Sequence, residues 1–266
     1  MSAEPHVGGL LRSWRDARGL SQERLAARAG VSTRHLSFIE TGRSNPGKDV
    51  LLALAGALEV PLRDQNHLLL AAGLAPRYPA SPLDGDELTV VRRALDHVLR
   101  QQEPFPAIVV DRLWNVLRLN NGAQRMLAAF MPPAMPAEVA GNAMLALVHP
   151  DGWKPFIVDW EDLAGHLVER LHRELAASPR DAQLAELLAK VLAQPGVPAH
   201  WHKAQLTGAL TPFATVHLRR GPLELRMFTM LTTLGTPLDV TAEELRIESY
   251  FPADDATESV LRGWAG

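Results

Sequence analysis

Apolar residues recur at helical spacing through the first seventy-odd residues, then shift beyond residue 105 to shorter runs of strand type mixed with longer helical stripes. Leu10, Leu11, Trp14 and Ala17 form one stripe that stops at Gly19. Ser21 stands as an N-cap for a helix from Gln22 to Ala29, and Gly30 ends it. Ser32 caps a third helix running to about Glu40, closed by Thr41-Gly42. A fourth covers roughly Asp49 to Glu59 before Pro61, and a fifth, Arg63 to Ala72, ends at Gly73. Residues 1–78 therefore read as an all-α domain of five helices, followed by a proline-containing linker at about Pro76 to Pro82.

Past the linker, a helix from Glu87 to Gln102 carries Leu88, Val91, Leu95, Val98 and Leu99 at helical spacing. Packing on a second domain, joining two domains and pairing between subunits are all open to it, so 79–104 is read as linker and connecting helix. Ala107 to Asp111 is a short apolar strand, and Leu113 to Leu119 alternates as its hairpin partner with Asp111-Arg112 at the turn. Helical stretches follow at 122–130, 143–148, 156–177 and 181–193, then strands at 214–219, 223–232 and 245–251. Gly221-Pro222 turns between the first two of these. Two strands, a run of helices and three strands predict an α+β domain over 105–266, a five-stranded antiparallel sheet with helices on one face in PAS-like order.

The chemistry begins at Ser21 to Glu40. Two helices crossing steeply over a short turn need a small residue where they touch, and Ala26 supplies it. The turn needs a residue tolerant of positive φ, which Gly30 is. Val31, Leu36 and Ile39 then bury the second helix, leaving Thr33, Arg34 and Ser37 pointing outward. This stretch, with Ile39-Glu40-Thr41-Gly42-Arg43-Ser44-Asn45-Pro46 after it, resembles the XRE/Cro/C1 family of helix-turn-helix regulators over about Leu10 to Leu58. The resemblance implies a transcription regulator that binds a double-stranded DNA operator, with Gln22 clamping a phosphate and Ser32, Thr33, Arg34 and Ser37 at the end of the helix that enters the major groove. Arg34 would make a bidentate contact to guanine, and Arg43, Ser44 and Asn45 would hold the backbone. His35 is open between a phosphate contact and a cover for its helix. Arg12, Arg15 and Arg24 read as solvent-facing, with a phosphate contact as the alternative.

The second domain is similar to the ligand-binding domain of the MmyB-like subgroup of these regulators, over roughly 88–252. The residues carrying the likeness are Pro106 to Leu117 with Asn120-Asn121, Asn142-Ala143-Met144 through His149-Pro150, Asp159-Trp160-Glu161 and the hairpin at Gly221 to Leu225. It departs most after Trp201-His202-Lys203, where a Thr/Leu/Ala-rich stretch replaces a charged approach to the last strands. A sheet curved over helices encloses an apolar pocket when its inward positions are large and flexible. Candidates to line one are Val109, Trp114, Leu117, Met126, Phe130, Met144, Leu147, Phe156, Trp160, Leu163, Phe213, Val216, Met227 and Phe228, each equally at home in a plain core. The resemblance implies a long-chain fatty acid as effector, its carboxylate held by one polar group at the mouth. Arg219, Arg226 and His217 are near in sequence, and nothing selects among them.

Composition sharpens this. The net charge of −3 divides into +3 over residues 1–80 (10 basic, 7 acidic) and −6 over 81–266 (17 basic, 23 acidic), a basic head on an acidic body. The absence of cysteine excludes disulfides and thiolate chemistry. No export pattern opens the chain and no apolar run approaches the ~20 residues that cross a bilayer, so a cytoplasmic protein without membrane contact is expected. His200, His202 and His217 have no carboxylate at ligand spacing, no nucleophile elbow or phosphate loop occurs, and no Ser/Lys peptidase setting surrounds the lysines. Neither catalysis nor a required cofactor or metal is expected. Three classes stay open: a ligand-responsive regulator, a DNA-binding protein whose C-terminal domain serves only dimerisation or a protein partner, and an enzyme on a DNA-binding head. A homodimer is expected because operators commonly present two half-sites a helical turn apart.

Overall fold

The computed structural model describes residues 6–132, 135–178, 180–204 and 215–264. Contacts divide the chain into two units: Met1–Gly85 with Gly235–Glu243, and Asp86–Leu234 with Glu244–Gly266.

The first unit is helical. Its elements are α1 (Val7–Ala17), α2 (Gln22–Ala29), α3 (Thr33–Glu40), α4 (Lys48–Ala57) and α5 (Leu62–Ala71). The expected caps are in place: Ser21 Oγ accepts from Arg24 N at 3.2 Å, and Ser32 Oγ from His35 N at 3.1 Å. Gly30 closes α2 in the left-handed region at φ 68°. Helix α1 starts three residues before the apolar stripe because the His6 imidazole caps it, accepting from Gly8 N at 3.1 Å. Gly8 is needed where α1 meets α3, since a Cβ there would lie 2.0 Å from the Ile39 carbonyl oxygen. Leu11, Leu25, Leu36, Ile39, Leu51 and Leu54 make the fully buried centre.

Arg15 corrects an expectation. It is buried, not solvent-facing: Nε donates to Glu40 Oε1 at 2.7 Å, Nη2 to Glu40 Oε2 at 3.0 Å and Nη1 to the Leu20 carbonyl at 2.8 Å. Gln22 Nε2 adds a bond to Glu40 Oε2 at 2.8 Å, so one carboxylate ties α1, α2 and α3 together. The segment Gly235–Glu243 holds the far side of this unit by polar contacts. Glu243 Oε2 accepts from Leu62 N at 2.7 Å at the start of α5, Asp239 Oδ2 from Ser81 N at 3.1 Å, and the Pro79 carbonyl from Val240 N at 2.8 Å.

The second unit opens with a 3₁₀ turn, Asp86–Leu88, and α6 (Thr89–Gln102). Then come β1 (Ala107–Val110), β2 (Val116–Leu119), α7 (Asn121–Phe130), α8 (Ala137–Ala140), α9 (Ala143–Val148), α10 (Trp160–Ala177) and α11 (Ala182–Leu192). The chain ends through β3 (Thr215–Arg220), β4 (Leu223–Thr233), α12 (Val240–Glu244), β5 (Arg246–Pro252) and α13 (Asp255–Gly263). The five strands form one antiparallel sheet in the order β2-β1-β5-β4-β3. Ile108, Val110, Val216, Leu218, Leu225, Met227 and Tyr250 face the main core with α7, α9, α10 and α11. Helices do not keep to one face, as the element order had implied. β1 is buried on both sides, and α6 packs against it.

Several local readings change. The first hairpin turns over Asp111 to Asn115, so β2 begins at Val116 rather than Leu113; the Asp111 carboxylate accepts from Leu113 N (2.8 Å) and Asn115 N (2.9 Å) and stabilises the wider turn. Pro155 holds a separate 3₁₀ turn, Lys154–Phe156, so α10 starts at Trp160. The short helices α8 and α12 and the terminal α13 add to the elements read from the chain. Phe213 and Ala214 lie outside the described residues.

Replacing Arg15 by Ala strands the Glu40 carboxylate, whose side chain is 2% exposed. We expect a loss of about 3 kcal/mol or more in unfolding free energy, measured by urea denaturation, with Arg15→Lys recovering part of it. A cost near zero would remove the ion pair from the account of this unit.

Candidate DNA-binding helix and ligand cavity

Helix α3 presents Thr33 and Arg34 exposed and Ser37 half-buried, while Leu36 and Ile39 are buried beneath them. The 3.6-residue period makes this division. Ser32 is exposed and spends its hydroxyl on the cap. Arg34 and Arg43 both lie over the ring of Phe38, at 5.4 and 6.0 Å from its centroid. Phe38, which the sequence reading passed over, thus props one arginine on the helix and one in the loop after it; its only signal was an aromatic residue one turn after Arg34. Arg43 N and Ser44 N donate to the Phe38 carbonyl at 2.8 and 3.1 Å, fixing that loop. Asn45 Nδ2 is bonded to the Ala72 carbonyl at 3.1 Å and Gln22 Nε2 to Glu40, so both side chains are anchored within the unit. His35 is half-buried.

The second unit holds a cavity enclosing about 960 Å³, its open mouth included. The sheet contributes Ile108, Val116, Leu119, Val216, Glu248 and Tyr250, α7 Met126 and Leu127, α9 Ala143, Met144, Ala146 and Leu147, and α10 Leu163 and Leu167. Trp114, Met131, Met135, Ala140, Trp153 and Ile157 complete the wall from loops and α8. Trp114 reaches it through an unusual backbone: its φ is 62°, a conformation that bulky residues rarely adopt, with Trp114 N donating to the Asp111 carbonyl at 3.0 Å. Arg170 and Arg246 lie over this indole at 5.3 and 5.6 Å, and each is 2.9 Å from Glu174 Oε1. Among the described residues, no group of three or more His, Asp or Glu is placed to hold a metal ion, and no helix is long and apolar enough to cross a membrane.

The profile of the MmyB-like transcription regulator ligand binding domain matches residues 91–263, more than half of the chain. The chain belongs to the MmyB-like transcription regulators. A helix-turn-helix profile matches residues 11–65 of the same regulator. An uncharacterized HTH-type transcriptional regulator of Mycobacterium tuberculosis is 35% identical over 110 residues, 40% of this chain and 38% of that protein. Two from Sinorhizobium fredii are 39% identical over 57 residues (21% of this chain, 29% of the relative) and 44% identical over 54 residues (20% and 70%). The match to the mycobacterial relative thus spans well under half of either protein. The chain thus carries a helix-turn-helix and an MmyB-like ligand-binding domain.

Within that domain the expected lining residues separate. Trp114, Met126, Met144, Leu147, Leu163 and Val216 come together on the cavity. Phe130, Trp160 and Met227 are buried in the core around it, and Phe156 packs partly buried against it. Val109 is buried on the opposite face of β1 from Ile108, Leu117 is 39% exposed, and Phe228 stacks on Phe251 at 5.3 Å. Strand alternation sets Val109 and Phe228 apart, and a shift in the β1–β2 register sets Leu117 apart. The same alternation places His217, Arg219 and Arg226 opposite to the inward Val216, Leu218, Leu225 and Met227. None of the three lines the cavity; His217 Nε2 and Arg226 Nη2 each bond Glu224 Oε1 at 2.7 Å, and Arg219 is exposed.

The ionisable groups that do line it, Glu248 and Tyr250, were not anticipated, because a strand reading Arg-Ile-Glu-Ser-Tyr-Phe carries no mark of which face is inward. Tyr250 Oη donates to Glu248 Oε2 at 3.1 Å. Burial raises the Glu248 carboxyl above the ordinary carboxylate range, against opposing hydrogen bonds from Tyr250 and Thr229 and the charge of Arg170; burial and the Glu248 carboxylate raise the Tyr250 phenol well above its own. A carboxyl whose pKa is raised on folding favours the folded state least when ionised, so its penalty is absent below the unfolded pKa and grows as pH rises through the folded one. Glu248→Gln is therefore expected to raise the melting temperature more at pH 8 than at pH 4. Equal shifts at both pH values in thermal unfolding would show that ionisation of Glu248 carries no such cost.

Proposed function

We propose that this regulator reads a specific operator through α3 and that an apolar ligand in the cavity of the second unit modulates operator binding. The observation that carries the reading is a cavity whose lining is hydrocarbon and indole apart from Glu248 and Tyr250, in a domain of a ligand-binding family. A long-chain fatty acid is the effector that the resemblance implies. The sheet, with β1 and β2 before the long helical run and β3 to β5 after it, supports a PAS-like domain. On the DNA side, the exposed Thr33 and Arg34, with Ser37, Arg43 and Ser44 beside them, would meet the groove and its phosphates. Gln22, Ser32 and Asn45 would contribute through the local geometry they hold. The protein acts as a cytoplasmic homodimer on paired half-sites, each recognition helix reading only a few base pairs.

Arg34→Ala is expected to relax discrimination at one base position and weaken operator binding by about 1–3 kcal/mol, with little change on random DNA, in fluorescence anisotropy at fixed salt. An equal loss on both DNAs would make Arg34 a phosphate contact. Light scattering of the same complexes should give two chains per duplex with two half-sites, and one chain bound at undiminished affinity would refute the dimer.

Ligand sensing is tested by solvent extraction of the purified protein, mass spectrometry of the extract and thermal shift with aliphatic compounds. We expect a recovered apolar compound and a rise in melting temperature. Neither recovery nor stabilisation would leave the second unit as a dimerisation or partner-binding module.

A further inference from the structure

We propose that the β4–β5 connection, Gly235–Glu243, is the element through which a ligand in the second unit alters the first unit, acting on the opening turn of α5. The proposal rests on the reading of the cavity as a ligand site and names the segment that transmits its state.

The connection is far longer than its strands require. Antiparallel neighbours can be joined by about 2–5 residues, whereas the chain runs from residue 234 to 245 between β4 and β5 and builds α12 on the way. Residues 235–243 belong to the first unit, while Leu234 and Glu244 on either side belong to the second. The segment is anchored by its own side chains. Val240 and Ala242 are buried, and the buried Asp239 carboxylate accepts from Ser81 N at 3.1 Å, Thr241 N at 2.8 Å and Ala242 N at 3.3 Å.

At one end of the segment stands the cap of α5. Pro61 occupies the N-cap position, and its side chain has no acceptor to offer. Leu62 N donates instead to Glu243 Oε2 at 2.7 Å, a carboxylate at the positive end of the helix. Helix α5 in turn bears on the loop after α3, because the Ala72 carbonyl at its far end accepts from Asn45 Nδ2 at 3.1 Å. Asn66, midway along α5, bonds Arg77 N, Tyr78 N and the Tyr78 carbonyl at 2.9, 3.0 and 2.7 Å. The residues leading to Pro79 and Ser81, which the segment also holds, thereby join the same block.

The chain that follows reaches the cavity. Glu244 Oε1 is 3.3 Å from Arg112 Nε, in the turn that places Trp114 on the cavity wall. Arg246 lies over that indole, and Glu248 and Tyr250 of the same strand line the cavity. The run from Glu243 to Tyr250 thus has a helix cap of the first unit at one end and the cavity wall at the other. A ligand that fixes β5 in one arrangement biases α5 through this run, which meets the requirement for coupling: one element whose equilibrium both sites shift.

The test is hydrogen exchange of the full chain, freed of extracted lipid, with and without dodecanoate below its aggregation limit. In the wild type, dodecanoate is expected to change exchange at residues 246–252 and, by about fivefold or more, at residues 62–65. Glu243→Ala is expected to speed exchange at 62–65 about fivefold without ligand and to abolish the dodecanoate-dependent difference there, while the response at 246–252 stays. Asp239→Asn keeps the shape of its side chain and withdraws one acceptor; it is expected to diminish the same difference and decides the matter if Glu243→Ala does not fold. A response at 246–252 with none at 62–65 in the wild type would overturn the proposal and uphold the ligand site. So would a difference at 62–65 that survives both substitutions, since a merely structural cap raises exchange and leaves the coupling intact. No response in either place would overturn both readings.

Discussion

The second unit depends on where β5 inserts. The hairpin β1–β2 and the hairpin β3–β4 have no ladder between them, and the sheet is continuous only because β5 pairs with β1 on one side and β4 on the other. Eleven residue pairings, four with β1 and seven with β4, thus rest on seven residues near the end of the chain. Pairing Ile108 with Glu248 and Thr229 with Tyr250 also settles which residues face inward, and a slip of one residue would exchange Glu248 and Tyr250 for Ile247 and Ser249. The strand that closes the sheet therefore also decides the polarity of the cavity wall. Its neighbour in sequence, Gly235–Glu243, makes its hydrogen bonds with Leu62, Pro79 and Ser81 of the first unit.

In the first unit the comparable constraint is the Glu40 carboxylate. It receives Arg15 from α1 and Gln22 from α2 while sitting at the end of α3, so the angle of the exposed helix is set by charge-assisted bonds in a nearly dry site. Glu40 belongs to the Ile-Glu-Thr-Gly-Arg run by which the family resemblance was read, where it passed as part of a loop signature. Its buried role explains why the pair Arg15–Glu40 spans 25 residues yet behaves as a local clamp.

Much of the architecture was legible along the chain. Ser21, Gly30 and Ser32 are cap residues with a mechanism, and α2 and α3 begin and end where they say. Long amphipathic stripes located α6, α10 and α11, and the hairpin turn at Gly221 was read correctly. What escaped were features whose cause lies elsewhere in space. Histidine capping α1, a glycine inside α1 tolerated because α3 approaches it, and arginine at position 15 turned inward are all decisions made by a neighbour. The same holds for Leu117 and Phe228: apolar, in strands, and left outside the cavity by a shift in the β1–β2 register and by alternation along β4.

The sequence by itself determined the presence of a helix-turn-helix, its outward face at Thr33 and Arg34, and the membership of the remaining chain in a sheet-and-helix ligand-binding family. The first two follow from local periodicity, capping and spacing, which act over a few residues; the third rests on the family resemblance. Only the tertiary structure decided that the cavity's polar groups are Glu248 and Tyr250 rather than Arg219, Arg226 or His217, and that Trp114 adopts a positive φ to join its wall. Alternation along a strand says that neighbours face opposite ways, but which set faces inward is fixed by the partners on either side, and for β5 those partners lie up to 142 residues away.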